Sequence, residues 1–305
     1  MENNLIKNKY KLKKDQRFGY KHLDPLPSES EVKEFYEKEY YQRIQKTVRS
    51  GHEKKLISKN QDVRIKELNW LQRTYFVDRL DALNKFIHSS QKTIFDIGCG
   101  TGEFMEFMKS SGWKTFGIEP SKEAFKKAKE KGITVHNLSL DEFVSQKNRE
   151  VKKFNVINLA FILEHVLHPK EVIISLKNFL KREGVLYIQV PNDFNELQSS
   201  ASQKVDKKEW WIVAPDHINY FNFQSLEKLL KFCGFEILFK TTTFPMELFL
   251  LMGENYVDNP EIGKICHRKR VNFELSITKE LRRDIYSNLA ELGLGRECVI
   301  YARKK

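Results

Sequence analysis

Three glycines at alternate positions, Gly98, Gly100 and Gly102, follow an apolar run that carries one carboxylate, Ile94-Phe95-Asp96-Ile97. A strand that enters such a turn and leaves it as a helix lets a ligand approach main-chain atoms closely, because glycine accepts backbone conformations closed to other residues. In open α/β sheets, ligands gather at the carboxyl ends of strands where the strand order reverses. The spacing excludes the dinucleotide fingerprint. G-x-G-x-x-G counted from Gly98 and Gly100 requires glycine at 103, where Glu103 stands. A second carboxylate, Glu119, closes the next apolar run, about 20 residues after the turn, where it suits both hydroxyls of a ribose.

A second group of residues suits proton transfer. Glu164 and His165 follow the run Phe154 to Ala160, and His217 and Tyr220 lie in Ala214-Pro215-Asp216-His217-Ile218-Asn219-Tyr220-Phe221. Histidine titrates near neutrality and serves as a general base. His217 and His165 rank equally for that role, with Tyr220 as a positioning hydroxyl. His168, before Pro169, reads as a helix entry. Trp210 and Trp211, with Tyr220 and Phe221, form either a hydrophobic seam or a stacking platform. Cys99, Cys233, Cys266 and Cys298 are isolated, with no CxxC pair for zinc or redox chemistry.

The elements that must position these residues are short β-type runs separated by helical patterns: 93–97, 114–118, 133–137, 154–160, 184–190, 235–241 and 297–303. Strands alternating with helices mean βαβ units and a mostly parallel sheet, an α/β fold. Amphipathic helices are expected over 30–45 and 61–88, and a long loop over 191–223. The expected organisation is a disordered basic tail (1–16), an N-terminal helical cap (17–90), a ligand-binding core (91–241), a helical insertion or lid (242–296) and a final core strand (297–305).

Asp96-Ile97-Gly98-Cys99-Gly100-Thr101-Gly102 resembles motif I of class I S-adenosylmethionine (SAM)-dependent methyltransferases. Leu163-Glu164-His165-Val166 and the segment 214–221 resemble a small-molecule branch that includes ubiquinone-pathway O-methyltransferases and enzymes of surface-polysaccharide pathways. The resemblance implies a Rossmann-like seven-stranded sheet with SAM as cofactor. It implies binding by Asp96, Gly98, Cys99, Gly100, Gly102 and Phe104 at the turn and by Glu119 and Pro120 at the ribose. Ser139 and Leu140 would meet adenine, and Ala160 would end the strand that faces the methyl group. An acid at 103 sits badly beside a pyrophosphate but suits the ammonium and sulfonium of SAM.

The implied acceptor is a hydroxyl of a small molecule, a sugar or nucleotide-linked sugar. No D/N-P-P-Y/F motif follows the fourth strand, which disfavours methylation of base amines. One alternative is an RNA 2′-O-methyltransferase with a divalent metal. Such enzymes use an E-x-x-E-H cluster and a later histidine; Glu164, His165 and His217 match three of those ligands, but Phe161 replaces the first glutamate, so no metal is expected. The other alternative is a SAM-binding module without turnover.

The net charge of +12 is spread over helix faces, and no RNA-binding signature is present, so a nucleic-acid partner is not expected. The longest apolar stretch, Phe244 to Met252, is broken by Glu247 and is too short to span a bilayer. Met1 to Arg17 has no apolar run after its charges, so a cytoplasmic location is expected. The sequence specifies no oligomeric state.

Overall fold

The structure is a computed structural model that describes residues 9–34, 55–56, 58, 60–145 and 152–305. Among the described residues, ten strands are formed: β1 (Lys11–Lys14), β2 (Lys21–Asp24), β3 (Thr93–Ile97), β4 (Lys114–Ile118), β5 (Val135–His136), β6 (Phe154–Ala160), β7 (Leu180–Pro191), β8 (Asn219–Tyr220), β9 (Phe235–Thr241) and β10 (Glu297–Lys304). Seven of them make one sheet in the order β5-β4-β3-β6-β7-β10-β9. β3 pairs in parallel with β4 and β6, and β10 runs antiparallel to β9. Every residue of β3 is buried, as expected of a parallel strand covered on both faces. The strand order reverses at β3, so its carboxyl end is the switch point.

The chain divides into two compact units, one of Met1–Glu29, Leu159–Lys177 and Leu186–Lys305, the other of Ser30–Asn158 and Asn178–Val185. In the second unit, the helix Glu103–Ser110 buries Phe104, Met105 and Met108, and Met105 packs with Ala128, Ile133 and Val135. The helical region before β3 comprises Gln61–Leu71 and Val77–Phe86, joined by a π-helical turn at Gln72–Phe76. The expected helix over 30–45 is described only as Glu29–Glu34; its remainder lies outside the described residues.

The first unit departs from expectation in two places. Residues 11–14, expected in a disordered tail, form β1 of a three-stranded sheet, β1-β2-β8. The hairpin closes because Asp15 Oδ1 accepts the Arg17 and Phe18 amides and Gly19 adopts φ +87°. Phe18, Tyr20 and Leu23 supply its buried side, with Tyr20 packed on Phe221. Lysine-rich composition concealed that pattern. The stretch 191–223 is not one long loop, since it holds the helix Glu196–Lys204, capped by Asn195, and β8. The insertion after β9 holds three helices, Glu247–Leu251, Pro260–Ser276 and Lys279–Glu291. Among the described residues, no helix is long and apolar enough to cross a membrane.

Candidate active site

The glycine turn follows directly from β3. Gly98, Gly100 and Gly102 adopt φ of +70°, +55° and +83°, in the left-handed region. Two of these glycines serve different ends. A Cβ on Gly102 would lie 2.5 Å from Ile133 Cδ1, so this glycine lets the following helix pack closely. A Cβ on Gly100 would meet nothing within 4 Å, so its main chain faces open space. The Gly100 amide donates to Glu119 Oε2 at 2.8 Å, and the Ser121 amide donates to Glu119 Oε1 at 2.9 Å. Asn137 Nδ2 donates to the carbonyls of Glu119 and Pro120 at 2.8 Å each. Ser139 opens the helix Leu140–Ser145, its amide donating to Glu142 Oε2.

Asp96 is fully buried on β3 and accepts Asn158 Nδ2 of β6 at 2.5 Å. Burial pushes its carboxyl up to about 6, with the Asn158 hydrogen bond and the Arg79 charge pulling the other way. Arg79 also donates to Asn158 Oδ1 at 3.0 Å and lies 4.4 Å from the centre of the Phe104 ring. This arginine was missed from sequence, because no spacing ties the helix Val77–Phe86 to β6. Burial, reinforced by Asp96 and Glu119, raises the Cys99 thiol far above its ordinary range, so it is no nucleophile at neutral pH. Glu103 pairs with Lys131 at 2.8 Å, which offsets its charge at the helix start.

In the first unit, Glu164, His165 and His217 converge, each offering one donor atom and all three atoms within 4.8 Å of one another. The ring centres of His165 and His217 are 5.0 Å apart, edge to face. His165 Nδ1 lies 2.7 Å from the Asp216 carbonyl oxygen and 3.3 Å from its Oδ1. The two segments are laced together by the Ile218 amide donating to the Glu164 carbonyl at 2.8 Å and by Asn219 Nδ2 donating to the carbonyls of Leu163 and Val166. Glu164 is buried, and its Oε2 has no hydrogen-bond partner. Burial pushes the Glu164 carboxyl up to about 7. Burial works against a charged His165, but Glu164 and Asp216 outweigh it and hold the imidazole up at about 9. An oxygen and two imidazole nitrogens in this arrangement are a donor set for a divalent cation, which the sequence reading did not expect here.

Tyr220 does not present its hydroxyl as expected. The residue is 1% exposed and its hydroxyl oxygen accepts the Val213 amide at 3.2 Å, so it holds the loop that carries His217. The aromatic cluster is a packed seam: Trp211 meets Trp210 at 4.9 Å and Phe194 at 5.4 Å, edge to face in both cases. Phe161 and Phe194, directly after β6 and shortly after β7, have φ of +57° and +58°, strained for non-glycine residues. Lys21 Nζ of β2 sits 3.4 Å from the centre of the Phe194 ring. Asp216 and Phe194 were also missed from sequence, although Asp216 stands beside His217 in the quoted motif.

The family described as a methyltransferase domain matches residues 69–239, more than half of the chain. The ubiquinone biosynthesis O-methyltransferase of Actinobacillus pleuropneumoniae is 36% identical over 108 residues, 33% of this chain and 46% of that one. The protein of the same name from Glaesserella parasuis is 31% identical over 132 residues, 41% of this chain and 53% of that one. The chain spans about half the length of the curated relatives it matches. A SAM-dependent methyltransferase from Archaeoglobus fulgidus shares the fold with a TM-score of 0.52 at 18% identity, covering 87% of this chain and 100% of that one. A magnesium protoporphyrin IX methyltransferase from Synechocystis PCC 6803, solved with bound SAH, does so at 0.50 and 13%, covering 90% and 99%.

Proposed function

We propose that the chain, which belongs to the methyltransferase-domain family, is a SAM-dependent methyltransferase that acts on a hydroxyl of a small molecule, with His217 as the general base. The observation that carries this reading is the convergence of His217, His165 and Glu164, whose donor atoms all lie within 4.8 Å of one another, with the two imidazole rings edge to face at 5.0 Å. Asp216 and Glu164 both approach His165, which suits it to a positioning role, and the base role is assigned to His217 beside it. Asp216 orients His165 through Nδ1.

The residues of the glycine turn fit SAM. Gly100 offers main chain with no neighbour where a side chain would stand, and carboxylates at 96 and 119 suit a cationic ligand that carries a ribose. Asp96, Gly98, Cys99, Gly100, Gly102 and Phe104 would hold its amino-acid end, Glu119 and Pro120 its ribose, and Ser139 and Leu140 its adenine, with Ala160 at the end of β6. Bound SAM supplies a methyl group already activated on a sulfonium. The chain's own residues then have two tasks, to hold the acceptor oxygen in line and to take its proton.

The relatives are named for ubiquinone biosynthesis, and nothing in those names favours a sugar. The test is incubation of the full chain with labelled SAM and a panel of phenols, free sugars, nucleotide sugars and RNA, read by mass. Methyl gain on a small-molecule hydroxyl supports the proposal. Gain on RNA alone overturns it, and SAM binding without gain on any acceptor favours a module without turnover. The convergence of Glu164, His165 and His217 favours one second reading, a divalent cation that activates the acceptor hydroxyl.

A further inference from the structure

We infer that Arg296, anchored by Glu247, binds a vicinal diol on the acceptor molecule, at a subsite separate from the His165–His217 pair. Arg296 Nη1 donates to Glu247 Oε1 at 2.6 Å. The Glu247 side chain is 1% exposed and that of Arg296 is 32% exposed, so the pair is anchored on a buried carboxylate while part of the arginine side chain reaches the surface. The main chain places this fork at the edge where β7 ends and β10 begins: the Asn192 amide donates to the Arg296 carbonyl at 3.0 Å, and the Arg296 amide donates to the Thr243 carbonyl at 3.2 Å. On the far side of β7 lies β6, whose carboxyl end leads to His165. In sheet order two strand spacings, roughly 10 Å, separate β6 from β10, which is the reach of a disaccharide-sized molecule.

Stability alone is a poor account of this pair. The desolvation of a buried carboxylate offsets most of what its ion pair contributes, whereas a guanidinium held in one orientation is a device for reading oxygen atoms. Two buried oxygens on residues that bond to Arg296, Glu247 Oε2 and Thr243 Oγ1, have no hydrogen-bond partner. Buried polar atoms are nearly always paired, so the carboxylate oxygen calls for a donor and the hydroxyl for a partner of either kind. The ligand group must therefore accept from the guanidinium and donate to a carboxylate, as a pair of hydroxyls does.

Charge selects between a diol and an oxyanion. Glu247 already neutralises Arg296, and Glu297, the next residue, adds a negative charge that Gln189 Nε2 meets at 2.7 Å without cancelling it. A carboxylate or phosphate arriving here would meet the formal charges of Glu247 and Glu297 against one guanidinium, whereas neutral hydroxyls add no charge.

The inference rests on the proposed methylation only in taking the ligand to be the acceptor, and its test needs no turnover. Saturation-transfer NMR on the full chain with S-adenosylhomocysteine would compare maltose, glucuronate and catechol. Maltose should bind, and R296K, which keeps a positive charge against Glu247 but lacks the fork, should weaken it about tenfold, the loss expected for hydrogen bonds from a charged group. T243V should weaken it by a smaller factor. Unchanged melting of both variants separates recognition from simple stapling of the insertion to the sheet. Catechol binding with the same dependence on Arg296 supports the diol and makes its source aromatic. No binding of either diol, equal affinity in R296K, or a preference for glucuronate overturns the inference. Calorimetry of SAM on the same sample reports separately on the methyltransferase reading.

Discussion

Gly100 donates its amide to Glu119 Oε2 at 2.8 Å, which joins the glycine turn to the end of the second sheet strand through a carboxylate. The turn is thus held in its left-handed conformation by the same side chain that is assigned to the ribose. Glu119 carries two tasks at once, and its removal should be felt in both. Glu119→Ala should weaken SAM binding by about tenfold or more, the scale of hydrogen bonds to a charged group. Calorimetry checks it, and unchanged affinity would sink the assignment.

Asp96 supplies a pH dependence. Its carboxyl is pushed up to about 6, chiefly by burial, so it is largely ionised only above that value. SAM carries positive charge and prefers the ionised form. Affinity should therefore rise as pH increases through about 6 and level off above it, and Asp96→Asn should flatten the curve. A wild-type affinity that does not vary between pH 5 and 8 speaks against contact between Asp96 and the cofactor.

His165 ties stability to pH with the opposite slope. Its folded value, about 9, lies above the ordinary 6.5, so its contribution is fully present below about 6.5 and is lost as pH rises through about 9. The melting temperature should fall across that window. In His165→Gln the fall should be smaller, and an identical profile in the variant would show that the Glu164 and Asp216 contacts do not hold a proton there.

The division of labour between the histidines is open to kinetics. His217→Ala should lower kcat by 10²–10⁴-fold, the usual worth of a general base, with SAM affinity unchanged. His165→Ala should lower kcat less and shift the pH–rate profile, as a positioning residue does.

Metal removal separates the two readings of the cluster. With His217 as base, methyl transfer should persist in EDTA. Loss of activity in EDTA that Mn²⁺ or Mg²⁺ restores would transfer the Glu164, His165 and His217 roles to a cation.

The sequence by itself determined the strands of the large sheet, the switch-point turn and the place of Glu119 at the end of the neighbouring strand. β3, β4 and β6 stand where the apolar runs 93–97, 114–118 and 154–160 put them. Burial on both faces makes continuous apolar runs, and a sharp turn demands glycine; both signals are local. Only the tertiary structure decided the partners. Arg79 reaches Asn158 over 79 residues and His165 reaches Asp216 over 51, and no period or motif encodes contacts made by chain crossings. The same holds for Arg296 and Glu247, 49 residues apart. The β1–β2 hairpin stayed hidden because exposed lysines mask a strand whose few apolar residues find their cover only in distant elements, such as Phe221 and Phe232. Two histidines of equal standing in the sequence are brought together by the fold, with the Asp216 carbonyl 2.7 Å from one of them, His165, and the field at a buried imidazole is set by what packs around it.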